Sequence, residues 1–417
     1  MRIANEAYIL LKSISFPRMV GSDGIEKAKK VIIKYFNSNN ISVKEETFEQ
    51  FGFIGGEGYI EFATRKILIR PVGVQNPYDI KGDLLFIDNY KNVKNIDLHL
   101  KGKILIASGG LPIDIIKYIR KKGVKGYIII SPPEKDFIMS STRQLLVKDN
   151  IIVPGAIVLY NDAMKLIEFN GKKIRMVGNN EIKKVKGTNI IVDVNKGKSG
   201  KPEILIFGHY DSVYKSPGVT DNGGGAVIVA SLAKKYYKNA PKRRVRFILF
   251  SGEEFGLIGS KSYVKKHKVE LEECKVVINI DVAGDTIGNN RCVITGGDDL
   301  YYLVHLLSNS KGLIFNVRKD IYSSDSLPFA LIGIPGINIA RSGGKSNFHI
   351  HTINDNLSGV SILGIEIPLK MTDLLIDFFA NSRIIPIKKD VPSDIMKKVK
   401  DYFKRSGYIG KENLINN

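Results

Sequence analysis

Apolar residues recur along this chain with two periods, and the elements they predict depend on where one gives way to the other. Ala28, Val31, Ile32, Tyr35 and Phe36 fall at i, i+3, i+4, i+7 and i+8, which marks one buried face of a helix. Ser22 stands where that helix wants an N-cap, and Asp23 and Glu26 bring negative charge to the positive end of its dipole. A strand is expected from Ile41 to Phe48. Between about 51 and 186 the texture changes. Short β-rich runs (Lys66 to Val72, Leu84 to Ile87, Lys103 to Ala107, Gly126 to Ile130, Ala156 to Leu159) are separated by Gly, Pro and Asp turns, with one amphipathic helix at Ile113 to Lys122.

From about 187 strands and helices alternate. Ile190 to Val194, Ile204 to Phe207, Val245 to Phe250, Val276 to Ile280, Cys292 to Thr295 and Gly336 to Ala340 read as strands. Ala226 to Tyr237, Asp298 to Ser308 and Val360 to Ala380 read as helices. The predicted class is α/β, a largely parallel mixed sheet with helices on both faces, built from residues 1–50 and 187–385. Residues 51–186 read as a β-rich module inserted into it. The tail, 386–417, is basic and amphipathic through Ile395, Val399, Tyr402 and Phe403, and reads as a docking helix with a frayed end.

Composition narrows the class. A 417-residue chain that is 43% hydrophobic and 25% charged is an ordinary globular protein with a large core. Cys274 and Cys292 are its only cysteines and form no C-x-x-C pair, so no disulfide framework is expected and a reducing, cytoplasmic location is. The opening MRIANEAYILLKSISF has polar and acidic residues within its apolar run and no small-residue cleavage site, so it is not read as a signal peptide. No window approaches the roughly 20 apolar residues of a membrane helix. The net charge of +21 raises nucleic acid or an anionic surface as partners. Yet the cations come in pairs and triplets along the whole chain (Lys29-Lys30, Lys183-Lys184, Lys234-Lys235, Lys242-Arg243-Arg244, Lys397-Lys398), without interleaved aromatics that would stack on bases. The reading is a lysine-rich surface, with neither nucleic acid nor membrane as partner.

The candidate chemistry lies in the α/β part. In open α/β sheets, ligands bind beyond the carboxyl ends of the strands. His209 follows the strand ending at Phe207, Glu253 and Glu254 the strand ending at Phe250, and Asp281 the strand ending at Ile280; Asp221 precedes a Gly-rich turn that opens a helix. Taken singly, a His after a strand is most often a hydrogen-bonded surface residue, a Glu pair is solvated, and Asp221-Asn222-Gly223 is a good turn. Their coincidence at one sheet edge points instead to a hydrolytic metal site, because imidazole and carboxylate suit zinc and a catalytic site leaves a position for water. Asp211, two residues after His209, can accept the other ring N–H and fix the tautomer. Of the adjacent pair 253 and 254, one can bind metal while the other takes a proton from water. At the last cluster His349 and His351 compete for one role, and His267 and His305 are read as structural or exposed.

With these residues in place the chain resembles the co-catalytic di-zinc aminopeptidases, family twenty-eight of the metallopeptidases. The resemblance runs through Pro17-Arg18-Met19-Val20-Gly21-Ser22, Gly208-His209-Tyr210-Asp211-Ser212, Glu253-Glu254-Phe255-Gly256-Leu257-Ile258-Gly259-Ser260, Asn279-Ile280-Asp281-Val282-Ala283-Gly284 and His351-Thr352-Ile353-Asn354-Asp355. It implies that His209 and Asp281 hold one ion, Glu254 and His351 the other, and Asp221 bridges both. Glu253 is implied as general base, and the spacing of Thr352 and Asp355 selects His351 over His349. The expected cofactors are two zinc ions, with cobalt or manganese as substitutes, and the expected substrates are peptides with a free N-terminus. The segment 51–186 is similar to a protease-associated domain through Lys101-Gly102-Lys103-Ile104-Leu105-Ile106-Ala107 and the glycines at 123 and 126. Gly224 departs from the family's frequent Ser, a change expected to be tolerable, and Ser324-Asp325-Ser326 from its Ser-Asp-His. Two alternatives on this fold are weighed. Glutaminyl cyclisation at a single zinc uses pocket tryptophans, whereas this chain has no Trp and Ile350 precedes His351. A non-catalytic peptidase-like binding protein would have lost ligands that are all present here.

Overall fold

The alternation predicted after residue 187 builds the larger of two compact units. The structure, a computed structural model, describes residues 2–95, 99–194 and 200–407, so 408–417 of the expected tail lie outside the described residues. One unit comprises Met1–Phe48, Lys186–Ile350 and Asn354–Asp401; the other is mainly Glu49–Val185, with His351–Ile353 counted to it.

The chain opens with α1 (Arg2–Ser13), α2 (Asp23–Asn37) and β1 (Lys44–Ile54). Ser22 caps α2 as expected, its hydroxyl accepting the Ile25 N–H, and Ile25, Ala28, Ile32 and Phe36 form the buried face. The strand expected from Ile41 starts later because Ile41 N–H closes the end of α2 on the Phe36 carbonyl. The smaller unit comes next: β2 (Gly58–Phe62), β3 (Arg65–Pro71), β4 (Tyr78–Asn89), β5 (Lys103–Ser108), α3 (Ile113–Lys121), β6 (Gly126–Ile130), α4 (Gln144–Lys148), β7 (Gly155–Val158), α5 (Tyr160–Ile167) and β8 (Lys173–Gly178). Its strands close into a barrel in the order β2-β3-β7-β6-β5-β4-β8 around Ile60, Ile69, Ile104, Ile128 and Met176. Strands β2 and β8, absent from the expected set, are short and carry charged residues among their apolar ones.

The larger unit continues with β9 (Glu181–Val194), β10 (Ile204–His209), α6 (Gly224–Lys238), β11 (Val245–Phe250), α7 (Ile258–Lys266), β12 (Val276–Ile280), β13 (Asn289–Thr295) and α8 (Asp298–Ser310). It ends with β14 (Asn316–Lys319), α9 (Leu327–Leu331), β15 (Gly336–Ser342), α10 (Lys345–Phe348), α11 (Ile362–Asn381) and α12 (Ser393–Ser406). The sheet order is β1-β9-β11-β10-β12-β15-β13-β14. Its centre, β11-β10-β12-β15, is parallel, and β9 and β13 run antiparallel on either side of it.

Alternate residues of the same strands enter two different cores, as period-2 geometry requires. Ile204, Ile206, Phe247, Leu249, Ile278 and Ile280 pack with residues of α1, α2, α6 and α11. Leu205, Phe207, Ile248, Phe250 and Val277 face the other way, onto Tyr263 and Val264 of α7 and Phe329 of α9. Helices therefore cover both faces, and the polar loops are left at the strand ends. Cys274 and Cys292 are buried free thiols, one in each core.

Candidate metal centre

Parallel β10, β11 and β12 end at one edge, and their register aligns the residues just beyond them. His209 is paired with Phe250, and Phe207 with Asn279, so continuing that register brings Asp281 level with His209. The turn carrying Asp221 spans Val219–Gly223 and runs directly into α6. Asn222 ties it to the sheet, its amide donating to the Ile280 carbonyl at 2.8 Å while its side-chain oxygen accepts the Gly225 and Val282 N–H groups.

His209 is the hub. Its Nε2 lies 3.3 Å from an Asp221 oxygen and 3.4 Å from an Asp281 oxygen, and its Nδ1 lies 3.5 Å from Asp211. The ring is buried, as are Asp211, Asp221 and Asp281. Neither ring nitrogen makes a well-formed hydrogen bond, nor does Oδ1 of Asp281. Buried polar atoms are almost always satisfied, so atoms left facing one another in this way need a shared partner. Burial lowers the proton affinity of His209, but the close carboxylates of Asp211, Asp221 and Asp281 overcome it and push the ring's pKa well above the usual value. The pocket thus draws positive charge. One donor atom each from His209, Asp221 and Asp281 can be chosen within 4.8 Å of one another, so these residues fit a cation of the N/O-binding type.

Asp211 links this cluster to the glutamates. Its two oxygens accept the N–H groups of Glu253 and Glu254, each at 3.4 Å, while it faces Nδ1 of His209. The Glu253 carbonyl accepts from Gly256 and Leu257, forming the tight turn that starts α7. Burial raises the Glu253 pKa well above the carboxylate range; His209 opposes this and Glu254, Asp281 and Asp325 add to it. A carboxylate so disposed is a good proton acceptor near neutral pH. His351 adopts a left-handed backbone with φ of 63°, and its carbonyl accepts the Met139 N–H at 2.8 Å. His349 is partly buried at the end of α10, His305 is exposed on α8, and His267 is buried between Glu46 and Glu270.

Sequence reasoning passed over three side chains here. The Tyr322 hydroxyl donates to the Asp281 carbonyl at 3.1 Å. Asp325 is fully buried, and its pKa is pushed up to about 7, chiefly by burial. Arg18 is also fully buried, yet its guanidinium meets no carboxylate: it donates to the carbonyls of Ile14, Phe16, Tyr210, Pro217 and Gly218. Burial lowers its pKa to about 10 against the opposing pull of Asp355, Asp211, Asp221 and Glu254, which leaves it a cation at neutral pH. Arg18 and Asp325 stood inside noticed motifs, but nothing local in the sequence shows a charge heading for the interior.

Fold and donor set together define an α/β domain with a candidate metal centre at the carboxyl edge of its sheet. Residues 189–365, which include every one of the candidate metal ligands and both glutamates, match the profile of Peptidase family M28. It is 26% identical over 294 residues to aminopeptidase YwaD of Bacillus subtilis, covering 67% of this chain and 62% of that relative's length, so it spans less than two thirds of that protein. Among solved structures, the fold is that of BSAP, a zinc aminopeptidase from Bacillus subtilis (22% identity, TM-score 0.74, 93% of this chain and 98% of that one). A peptidase M28 precursor from Shewanella amazonensis is equally similar in fold (20% identity, TM-score 0.77, 94% and 98%).

Proposed function

We propose that the protein is a metal-dependent aminopeptidase, hydrolysing the first peptide bond of peptides with a free N-terminus. The observation that carries the reading is His209 held among Asp211, Asp221 and Asp281 with unsatisfied ring nitrogens, beside the paired glutamates. In this reading His209 and Asp281 hold one ion and Asp221 bridges to a second held by Glu254 and His351. The name of the zinc aminopeptidase with this fold favours zinc. Bound ions would polarise the substrate carbonyl and make water more acidic.

The chain's own residues do the rest. Asp211 keeps the His209 tautomer and, through the N–H groups of Glu253 and Glu254, sets the position of both glutamates. Glu253 takes the proton from the attacking water and can return it to the leaving amine, work suited to its raised pKa. The Glu49–Val185 unit is read as a protease-associated domain.

Aminoacyl chromogenic substrates with a free amine should be cleaved and their N-acetylated counterparts left intact; equal rates on both would sink the exopeptidase reading. Glu253→Gln should lower kcat by about 10²- to 10⁴-fold with metal content unchanged, the loss expected for one acid–base group. Near-normal turnover in that variant would remove Glu253 as base.

A further inference from the structure

The two-ion reading makes Asp221 the one residue common to both sites, so the backbone beneath it matters more than that of any other ligand. That backbone has an unusual support. Asp355 lies fully buried 134 residues further along the chain, and one carboxylate oxygen accepts the Thr220 N–H at 2.9 Å while the other accepts the Asp221 N–H at 3.0 Å. Its main-chain carbonyl accepts the Val219 N–H at 3.2 Å. Three consecutive amides therefore end on one residue.

The carbonyls of the same turn are held from the opposite charge. The Arg18 guanidinium donates to Pro217 and, at 2.8 Å, to Gly218, and the Thr220 carbonyl accepts the Ala283 N–H at 3.1 Å. The Asp355 carboxylate takes the N–H groups of 220 and 221 and the Arg18 guanidinium takes the carbonyls of 217 and 218, so the turn is held from both sides. Hydrogen bonds to charged groups are roughly twice as strong as the neutral kind. Ser212 binds the arginine's segment in turn, accepting the Arg18 N–H at 2.9 Å.

We infer that Asp355, with Arg18 behind it, is the positioning residue for the bridging carboxylate, and that it sets the affinity of both metal sites together. This rests on the two-ion reading proposed above. A loop staple with no bearing on metal would have the same bonds, so the test must read the ions separately.

The experiment is competition between each folded, metal-stripped protein and a chromogenic chelator for zinc, with the wild type and Asp355→Asn compared. In Asp355→Asn one acceptor oxygen becomes an NH₂ group pointing at a backbone N–H. Both zinc equivalents should bind about 10- to 100-fold more weakly, the usual cost of losing an outer partner of a ligand. Unchanged binding in Asp355→Asn, or weakening of a single equivalent, overturns the inference. Should that variant not fold, Asp355→Glu takes its place in the same competition: both equivalents should weaken, and unchanged binding or the weakening of a single equivalent overturns the inference. A wild type that takes up only one zinc counts against the two-ion reading, whereas two equivalents in the wild type with unchanged binding in the variant count against Asp355 alone.

Discussion

A β-carbon added at Gly224 would lie 2.0 Å from the Ala283 main-chain oxygen, and one at Gly225 would lie 2.4 Å from that of Ile280. The missing side chains let the start of α6 press directly on the end of β12, and this contact brings the Asp221 turn beside Asp281. The sequence treats Gly in place of Ser at 224 as merely tolerable; in this chain the glycine is required. Gly224→Ser should destabilise the protein by about 1–3 kcal/mol, the range for forcing atoms into a packed site, read as a lower urea midpoint with unchanged slope. An unchanged midpoint would mean the helix can back away at little cost. The ligand candidates were legible one by one because each is a polar residue just past an apolar run. Arg18 and Asp355 stood in quoted motifs but their work was not legible. Their partners are main-chain carbonyls and amides up to 200 residues away, and a sequence records only side chains.

Elements were legible where one period ruled. The buried runs at β10, β11 and β12 appear as uninterrupted apolar stretches because both faces are covered. Strand β9 was expected only from Ile190, since residues 181–186 carry exposed lysines and show no buried side until Gly187. Joints between elements were less visible, and His267 is the clearest case. It ends α7, stacks on Tyr263 with ring centres 4.3 Å apart, and places Nε2 at 2.8 Å from Glu46 of β1 and Nδ1 at 3.1 Å from Glu270. Glu46 is buried, which by itself raises its pKa, but the Lys44 and His267 partners outweigh this and bring it from 4.5 to about 2. A folded-state pKa below the unfolded one gives stability that is fully present above about pH 4.5 and is lost as pH falls towards about 2. Glu46→Gln should therefore cost stability at about pH 6, and the gap from wild type should shrink by about pH 3. Urea titrations of both proteins at the two pH values check this; a gap independent of pH would mean Glu46 serves by packing alone.

At the scale of the whole chain, two units each enclose their own core, one around the mixed sheet and one inside the barrel. Barrel closure was not legible, because it depends on β2 meeting β8 more than a hundred residues on, and neither strand has a strong apolar run. Some of the 63 cations behind the net charge of +21 sit in exposed ion pairs such as Lys94–Asp114 and Lys398–Asp320, each worth little in water. Among the described residues no helix is long and apolar enough to cross a membrane. The candidate ligands lie mainly in the larger unit, where Asp211, Asp221 and Asp281 bring negative charge together around one buried ring. A bound cation would relieve that repulsion, and a ligand that binds only the folded state adds about 2.7 kcal/mol at a hundred times its Kd. Calorimetry in excess zinc and again in excess chelator should then show two transitions. The transition of the mixed-sheet unit should fall in temperature when the metal is removed, and that of the barrel unit should stay where it was. Superimposable scans would mean that the carboxylate cluster holds no ion in the folded protein. A shift of both transitions by the same amount would mean that the units unfold together, with metal bound at the sheet edge stabilising the entire chain.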